Sequence, residues 1–295
     1  MEQEVKFSVI IPNWNGQKLL EKNLPIVIEA SGAAEIIVVD DNSPDQSNLF
    51  LKANFPRVKV ISHRKNLGFG AACNTGVAAA KGHLVALLNL DVVPEKGFLE
   101  KVKDHFHSPE VFAVSFNEPQ NSWARISWRN GFFEHELGER TDKTHISGWA
   151  NGGSALFRKS MWLKLGGFDE LFRPFYWEDI DLSYRAWKRG WKILWEPKAV
   201  AYHQHESIIG RHFSRTYVNY ISQRNQLFFI WKNITDKEML AEHRRNLSAR
   251  LAKPGFWRPF LGSLMKINQV LPRRKIEKEE QEVTDSEIFN FFKQE

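Results

Sequence analysis

Two adjacent carboxylates, Glu178 and Asp179, open a segment with helical spacing, directly after the aromatic triplet Phe175-Tyr176-Trp177. An ionised carboxylate in such a place could act as a general base that takes a proton from an acceptor hydroxyl. The alternative is a structural role, because the positive end of the helix dipole stabilises acidic residues in a first turn. The pair therefore predicts either an acid–base site or a helix cap.

Two further residues could hold a metal ion. Asp91 lies in the segment NLDVVP, and a carboxylate suits Mg²⁺ or Mn²⁺ placed against a diphosphate. His203 follows an apolar run, with His205 close behind it, and a neutral imidazole there could be a further ligand. The alternatives are a turn or capping aspartate and a structural histidine.

Trp14 and Asp41 could recognise a nucleobase, the first by stacking and the second by accepting a hydrogen bond from a base N–H. The alternatives are a core tryptophan and an Asx turn. Residues 64–70, RKNLGFG, place cations and two glycines before a predicted helix, where backbone amides could face phosphate. This segment matches neither a Walker loop nor a dinucleotide-binding fingerprint.

The elements that must position these residues alternate between strand and helix over the first hundred residues. Strands are predicted at 7–11, 35–39, 58–62 and 84–88, and helices at 17–30 (broken or kinked at Pro25), 47–54 and 70–81. This order predicts a parallel sheet with right-handed crossovers. Ligands of such sheets bind beyond the carboxyl ends of the strands, where the polar clusters fall.

The second half of the chain is less regular. Residues 109–148 predict mixed strands and a loop around the substrate. Residues 180–189 predict a helix, 191–195 a strand, and the pattern is helical from residue 208. We expect an α/β domain over residues 1–232 and a helical, basic and aromatic tail over 233–295. Within the tail, residues 255–275 could lie on an anionic membrane surface, or pack on the catalytic domain or a second subunit.

Composition limits the compartment and the partners. The 295 residues carry a net charge of +6, which favours anionic partners such as nucleotides or acidic lipids. No nucleic-acid signature is present, so we expect no nucleic-acid partner. The single cysteine, Cys73, excludes an intramolecular disulfide framework, and no signal-peptide pattern is visible. We therefore expect a cytoplasmic protein, or one peripheral at the inner face of the cell membrane; the oligomeric state is open.

Five segments together resemble the family 2 glycosyltransferases, especially the bacterial rhamnosyl- and galactofuranosyltransferase-like members. The segments are SVIIPNWNG, IIVVDDNSPDQS, RKNLGFGAACNTGVAAAKGHLVALLNLDVVP, NGGSALFRKSMWLKLGGFDE and FYWEDIDLSYRAWKRGWKILWEPKAVAYH. The resemblance covers about residues 7–230 and includes the triplet Gln223-Arg224-Asn225.

The resemblance implies a GT-A fold and transfer of a sugar, with inversion, from a nucleoside-diphosphate donor to a saccharide or lipid-linked acceptor in cell-surface polysaccharide synthesis. It implies Asp179 as catalytic base with Glu178 beside it, and Mg²⁺ or Mn²⁺ on Asp91 and His203. Trp177 and Tyr176 would face the acceptor. The implied donor-binding residues are Pro12, Trp14, Asp41, Lys65, Asn66, Gly68, Asn74, Asn89, Leu90 and Asp91.

One residue departs from the pattern of the family. Its DxD motif usually begins with aspartate, and here that position is Asn89, which removes one negative charge from the expected metal site. The departure keeps a second hypothesis open, a sugar-nucleotide-binding scaffold without transferase activity. A sugar nucleotidyltransferase is a third, but IPNWNGQK after the first strand lacks the glycine-rich basic loop expected of that class.

Overall fold

The computed structural model describes residues 6–204 and 212–294. Its first part alternates strands and helices as the sequence predicts. The strands are β1 (Phe7–Asn13), β2 (Glu35–Asp40), β3 (Lys59–Ser62) and β4 (Leu84–Leu88), and the helices between them are α1 (Gln17–Ser31), α2 (Ser47–Asn54) and α3 (Phe69–Ala79).

The middle of the chain adds seven strands and two helices to this unit. The strands are β5 (Val92–Pro94), β6 (Val111–Asn117), β7 (Ala124–Arg129), β8 (Phe132–Leu137), β9 (His145–Ile146), β10 (Ser154–Arg158) and β11 (Lys192–His203). The helices are α4 (Lys159–Leu165) and α5 (Glu178–Lys188). Short 3₁₀ helices cover Lys103–His107 and Glu170–Phe172.

The main sheet has the order β3-β2-β1-β4-β10-β6-β11-β5, with β9 on β11, and the hairpin β7-β8 forms a separate sheet. Strands β1 to β4 pair in parallel, as do β6 and β11, whereas β10 runs antiparallel to both of its neighbours. The prediction of a mostly parallel α/β sheet is confirmed.

Hydrophobic clusters cover both faces of the sheet. In β1, Ile10 belongs to one cluster and Val9 to the other; in β4, Val85 and Ala86 divide in the same way. Successive side chains of a strand point to opposite faces, so a sheet covered on both faces needs continuous apolar runs. Burial of both faces of the sheet therefore explains the continuous apolar runs in the sequence.

Two local expectations differ from the structure, and a third falls on residues that it does not describe. Helix α1 runs through Pro25 without a break, held by the buried side chains of Leu20, Leu24 and Val27 on its sheet-facing side. The strand expected at 191–195 extends over residues 192–203, with the ladder irregular between Glu196 and Val200. His205 and the start of the helix expected from residue 208 lie outside the described residues.

Within residues 212–294 the structure has the helices α6 (Arg215–Asn233), α7 (Lys237–Leu251), α8 (Trp257–Leu264), α9 (Ile267–Glu279) and α10 (Asp285–Gln294). Val270, Ile288 and Phe292 from these helices are buried in the same cluster as the aromatic core of the α/β unit. The boundary expected after residue 232 therefore divides a shared core. No helix in the described ranges is both long and apolar enough to cross a bilayer.

Candidate active site

The polar clusters that follow β1, β2 and β4 meet at one edge of the sheet. Asn13 lies opposite Asp40 in the ladder, and its amide donates to the Asp40 carboxylate at 2.7 Å. The backbone N–H of Asn89 donates to the carbonyl of Gly153 at 2.9 Å. Parallel pairing aligns the carboxyl ends of neighbouring strands, so the sequence-based expectation of a single polar edge is met.

Asp41 is buried and accepts three hydrogen bonds inside the protein. The amides of Leu67 and Gly68 donate to its carboxylate at 2.8 and 2.7 Å, and Nδ1 of His63 lies 2.7 Å from it. Asp41 thus fixes the loop that carries Lys65 and Asn66, both of which are exposed. The sequence did not reveal His63, because nothing in its local spacing points to Asp41.

Other expected donor residues differ in how open they are. Trp14 and Pro12 are half-buried, and the Trp14 ring contacts that of His212 edge to face, with centroids 5.3 Å apart. Leu90 is buried, and its carbonyl accepts from the Asn23 amide at 2.7 Å. Of the two residues expected to recognise the nucleobase, Trp14 is thus half-buried and Asp41 is buried.

Asn74 uses both of its polar atoms on the backbone of Phe168, donating to the carbonyl at 2.8 Å and accepting from the N–H at 2.9 Å. It joins α3 to the loop that leads to α5. The amide carries a second N–H that these two bonds do not use, and the structure gives this side chain a role that the sequence did not suggest.

Asp91 and His203 come together as the metal hypothesis requires. Asp91 Oδ2 is buried and lies 3.2 Å from His203 Nε2. On the other side of the imidazole, Nδ1 lies 3.3 Å from Oε2 of Glu118, a buried carboxylate that sequence reasoning missed. Hydrogen bonds to Asp91 and Glu118 raise the pKa of His203 to about 10.

This pair fits a divalent ion. A carboxylate and an imidazole are both ligands of divalent ions, so Asp91 and His203, 3.2 Å apart, would be the residues that hold Mg²⁺ or Mn²⁺. Within residues 6–204 and 212–294, no three His, Cys, Asp or Glu side chains are arranged to hold a metal. An ion on Asp91 and His203 would therefore need further oxygen ligands from a diphosphate or water.

Glu178 and Asp179 form the first turn of α5, and both are partly buried. Asp179 accepts from the Gly152 amide at 3.2 Å and from the Ile180 amide at 2.9 Å. Burial raises the pKa of Asp179, although these amide bonds oppose the rise. Burial, with the neighbouring charge of Asp179, raises the pKa of Glu178 to about 8, and its Oε2 is buried without a hydrogen-bond partner.

The segment before α5 has an unusual backbone that the rest of the chain holds in place. Tyr176 and Trp177 have φ of 69° and 78°, a region that side-chain-bearing residues rarely adopt. The Asn225 amide donates to the carbonyls of Phe172, Phe175 and Tyr176 at 2.7 to 3.0 Å. Within the Gln223-Arg224-Asn225 triplet, Asn225 therefore holds the backbone of the segment before α5.

The two expected acceptor aromatics are placed differently. Tyr176 is 41% exposed, whereas Trp177 is buried against Phe133 and Phe229, with centroid distances of 5.7 and 5.4 Å. Trp177 therefore packs mainly in the core. His135 of the hairpin, which the sequence did not reveal, lies near enough to Asp179 for each charge to affect the pKa of the other.

A family model described as glycosyl transferase family 2 matches residues 8–163. The chain belongs to glycosyl transferase family 2. The pre-mycofactocin glycosyltransferase of Mycobacterium tuberculosis is 31% identical over 208 residues, which cover 68% of this chain and 43% of that protein. The N-acetylglucosaminyl-diphospho-decaprenol L-rhamnosyltransferase of the same organism is 25% identical over 214 residues, covering 60% and 68% of the two chains. The chain thus spans less than half the length of the first of these family relatives.

A solved structure shows the fold. The crystal structure of GalNAc-T7 with UDP, GalNAc and Mn²⁺ matches with a TM-score of 0.71 at 16% identity, covering all of this chain and 57% of that one. The GT-A fold and the family expected from the sequence are both confirmed.

Proposed function

We propose that this chain is an inverting glycosyltransferase that moves a sugar from a nucleoside-diphosphate donor to an acceptor hydroxyl. One observation carries the proposal: residues 151–153 lie between the metal side and the base. The Gly153 carbonyl accepts from Asn89, and the Gly152 amide donates to Asp179. A base facing the donor across one short loop suits a single displacement from the face opposite the leaving group.

In this proposal the donor lies along the polar sheet edge. Trp14 and Pro12 face the nucleobase, and Asp41 and Gly68 shape the nucleobase pocket through their loop. Lys65, Asn66 and Asn74 border the phosphates. Asn89 and Leu90 lead to the proposed metal ligands, Asp91 and His203. A divalent cation, Mg²⁺ or Mn²⁺, held by Asp91 and His203 would supply positive charge to the leaving diphosphate. With Asn89 in place of aspartate, the site carries one negative charge fewer.

Asp179 is the proposed base. As the acceptor oxygen bonds to the anomeric carbon and the bond to the diphosphate breaks, the hydroxyl proton passes to the Asp179 carboxylate. A raised pKa makes that carboxylate a stronger base, while two amide donors keep it aligned. Glu178, with a pKa of about 8, holds its proton at neutral pH, so it is the structural partner of the pair.

We propose a saccharide acceptor that stacks on exposed aromatic rings. Tyr176 is the open ring beside α5, and the Phe175 ring behind it contacts Tyr217 at 6.3 Å. Tyr217 borders a groove of about 840 Å³ that also contains Tyr220 and Trp257. Aromatic walls with a few polar groups are typical of ligand sites, and this line of rings leads away from the base.

The decisive experiment follows release of nucleoside diphosphate from UDP-, GDP- and dTDP-sugars, with Mn²⁺ or with EDTA. We expect release with one donor, dependent on the cation. Asp179→Asn should lower transfer about 10²–10⁴-fold while donor binding persists, and Glu178→Gln, the matched neighbour, should remain active at neutral pH. Release from no donor would reject the function; native turnover of Asp179→Asn would reject the base.

We also propose that α8 rests on an anionic membrane surface, where a lipid-linked acceptor would be reached. Trp257, Leu261, Leu264 and Met265 are 41% to 84% exposed and recur at helical spacing, and Lys253, Arg258 and Lys266 lie in or beside this helix. Apolar side chains with flanking cations are the pattern of interfacial helices.

Vesicle co-sedimentation tests this surface. We expect pelleting with phosphatidylglycerol vesicles but not with phosphatidylcholine vesicles, and loss of pelleting in Leu261→Glu. The matched control is Leu163→Glu, which alters a similarly exposed leucine (52%) on α4 and should pellet as the native chain does. Equal, negligible pelleting of all three proteins would reject membrane contact.

A further inference from the structure

Glu118 follows the end of β6 and is buried, although a carboxylate is costly to bury without partners. Its Oε2 lies 3.3 Å from Nδ1 of His203, and the opposite ring nitrogen, Nε2, lies 3.2 Å from Asp91. The two carboxylates therefore lie on opposite sides of one imidazole. Glu118 thus contacts the ring nitrogen that does not face Asp91.

The position of Glu118 is itself fixed. The Asn151 amide donates to Oε1 at 2.9 Å and the Asn121 amide to Oε2 at 2.8 Å. The backbone N–H of Asn121 also donates to the Glu118 carbonyl at 2.7 Å. With these partners, the carboxylate has little freedom to turn away from His203.

We propose that Glu118 is a positioning residue, which accepts the Nδ1–H of His203 and so keeps Nε2 directed toward Asp91 for a divalent cation. This inference rests on the metal site of the proposed function. Histidine ligands of metals commonly donate their second N–H to a carboxylate, which fixes the tautomer and the ring orientation and raises the basicity of the ligand.

The surroundings of Glu118 connect this role to the rest of the site. Asn151, which holds Glu118, is followed directly by Gly152, whose amide donates to Asp179. The backbone N–H of Asn151 is in turn held by the Ser115 hydroxyl at 3.1 Å. Glu118 therefore belongs to the framework of the site.

Manganese binding tests the proposal independently of catalysis. Free Mn²⁺ is measured by electron paramagnetic resonance during titration of the full chain, with Mn²⁺ alone and with UDP or GDP present. We expect Glu118→Ala to weaken Mn²⁺ binding about 10–100-fold, with Glu118→Gln between it and the native chain, because an amide oxygen can still accept from Nδ1. In turnover, the Mn²⁺ concentration for half activity should rise equally.

The matched control is Glu196→Gln. Glu196 is also buried and lies 2.8 Å from a histidine, His105, but away from Asp91. This variant should bind Mn²⁺ as the native chain does, and thermal melts of all variants show whether each is folded. Asp91→Asn is the reference for loss of the ion.

The outcomes separate the claims. If Asp91→Asn loses Mn²⁺ while both Glu118 variants bind it as the native chain does, the positioning role is wrong and the metal site stands. If native protein and Asp91→Asn bind Mn²⁺ equally weakly, the metal site and the positioning role both fail. If Glu118→Ala weakens Mn²⁺ binding but native protein releases no nucleoside diphosphate from any donor, the transferase proposal fails while the positioning of His203 stands.

Discussion

One helix carries two kinds of buried carboxylate within a single turn. At the start of α5, Glu178 and Asp179 have no ion-pair partner among the described residues, and the pKa of each is raised by burial. Asp181 is fully buried and receives Arg185 at 2.8 Å, Lys232 at 2.9 Å and the amide of Asn233 at 2.8 Å. The first turn of α5 thus carries two acids without a cation partner among the described residues, and Asp181, three residues after Glu178, is paired with cations.

Further buried ion pairs join this region to the C-terminal helices. Asp169 binds Lys232 and Arg273, and its contact with Lys232 holds the pKa of the carboxyl well below the usual range. Lys188 lies 3.2 Å from Asp285, and Arg189 lies 2.6 Å from Glu277. On these helices the acids that are paired with cations hold the structure together, whereas Asp179, the proposed base, has no ion-pair partner among the described residues.

The strongest way to break this comparison is Asp181→Asn. Removing one partner of a buried ion pair leaves its cations uncompensated, which costs about 3–5 kcal/mol. We expect the free energy of unfolding, from urea denaturation, to fall by that amount. Asp179→Asn, two residues earlier, should be neutral or stabilising. If the two variants were equally destabilised, the distinction between the paired and the unpaired acids of α5 would be wrong.

A smaller effect comes from pH. The pKa of Glu178 is about 8 in the folded chain against an ordinary 4.5. Between these values the unfolded chain releases a proton that the folded chain keeps, so this group's stabilisation falls as the pH rises from 4.5 to 8. Thermal melts across this range should show a steeper decline for native protein than for Glu178→Gln. Parallel curves would mean that Glu178 ionises normally.

The smallest effect should come from Arg273→Met. Arg273 is about one-third exposed and Lys232 is buried, yet both bind Asp169. Since the buried cation remains, and solvent screens the partly exposed one, we expect a loss of about 1 kcal/mol or less that shrinks further with added salt. Urea denaturation at low and high salt measures it. A loss as large as that of Asp181→Asn would show that compensation depends on every cation in the network.

The sequence predicts the strand ends well, because parallel pairing brings consecutive strand ends to one edge whatever their side chains. Asn13, Asp41 and Asp91 follow from that rule. Glu118 does not, since it lies 85 residues from His203 and meets it only through the pairing of β6 with β11. Partners from distant elements leave no local spacing in a sequence.

The aromatic residues show a second limit. The triplet before α5 is uniform in sequence, but Tyr176 is open while Trp177 is buried. Their left-handed backbone turns the two rings apart, and neither composition nor periodicity predicts φ values of this kind. Likewise, the sequence suggests that Asn74 contacts the sugar-nucleotide donor, but it does not show that this side chain forms two hydrogen bonds with the backbone of Phe168.

The loop at 151–153 makes the two halves of the site a single mechanical unit. Its first residue holds Glu118 behind the metal ligand, its second holds Asp179, and its third leaves no room for a side chain against Asn89. In the proposed mechanism, a displacement on the diphosphate side would therefore be passed to the carboxylate that meets the acceptor. Loading of the first substrate and alignment for the second would be linked through three residues of backbone.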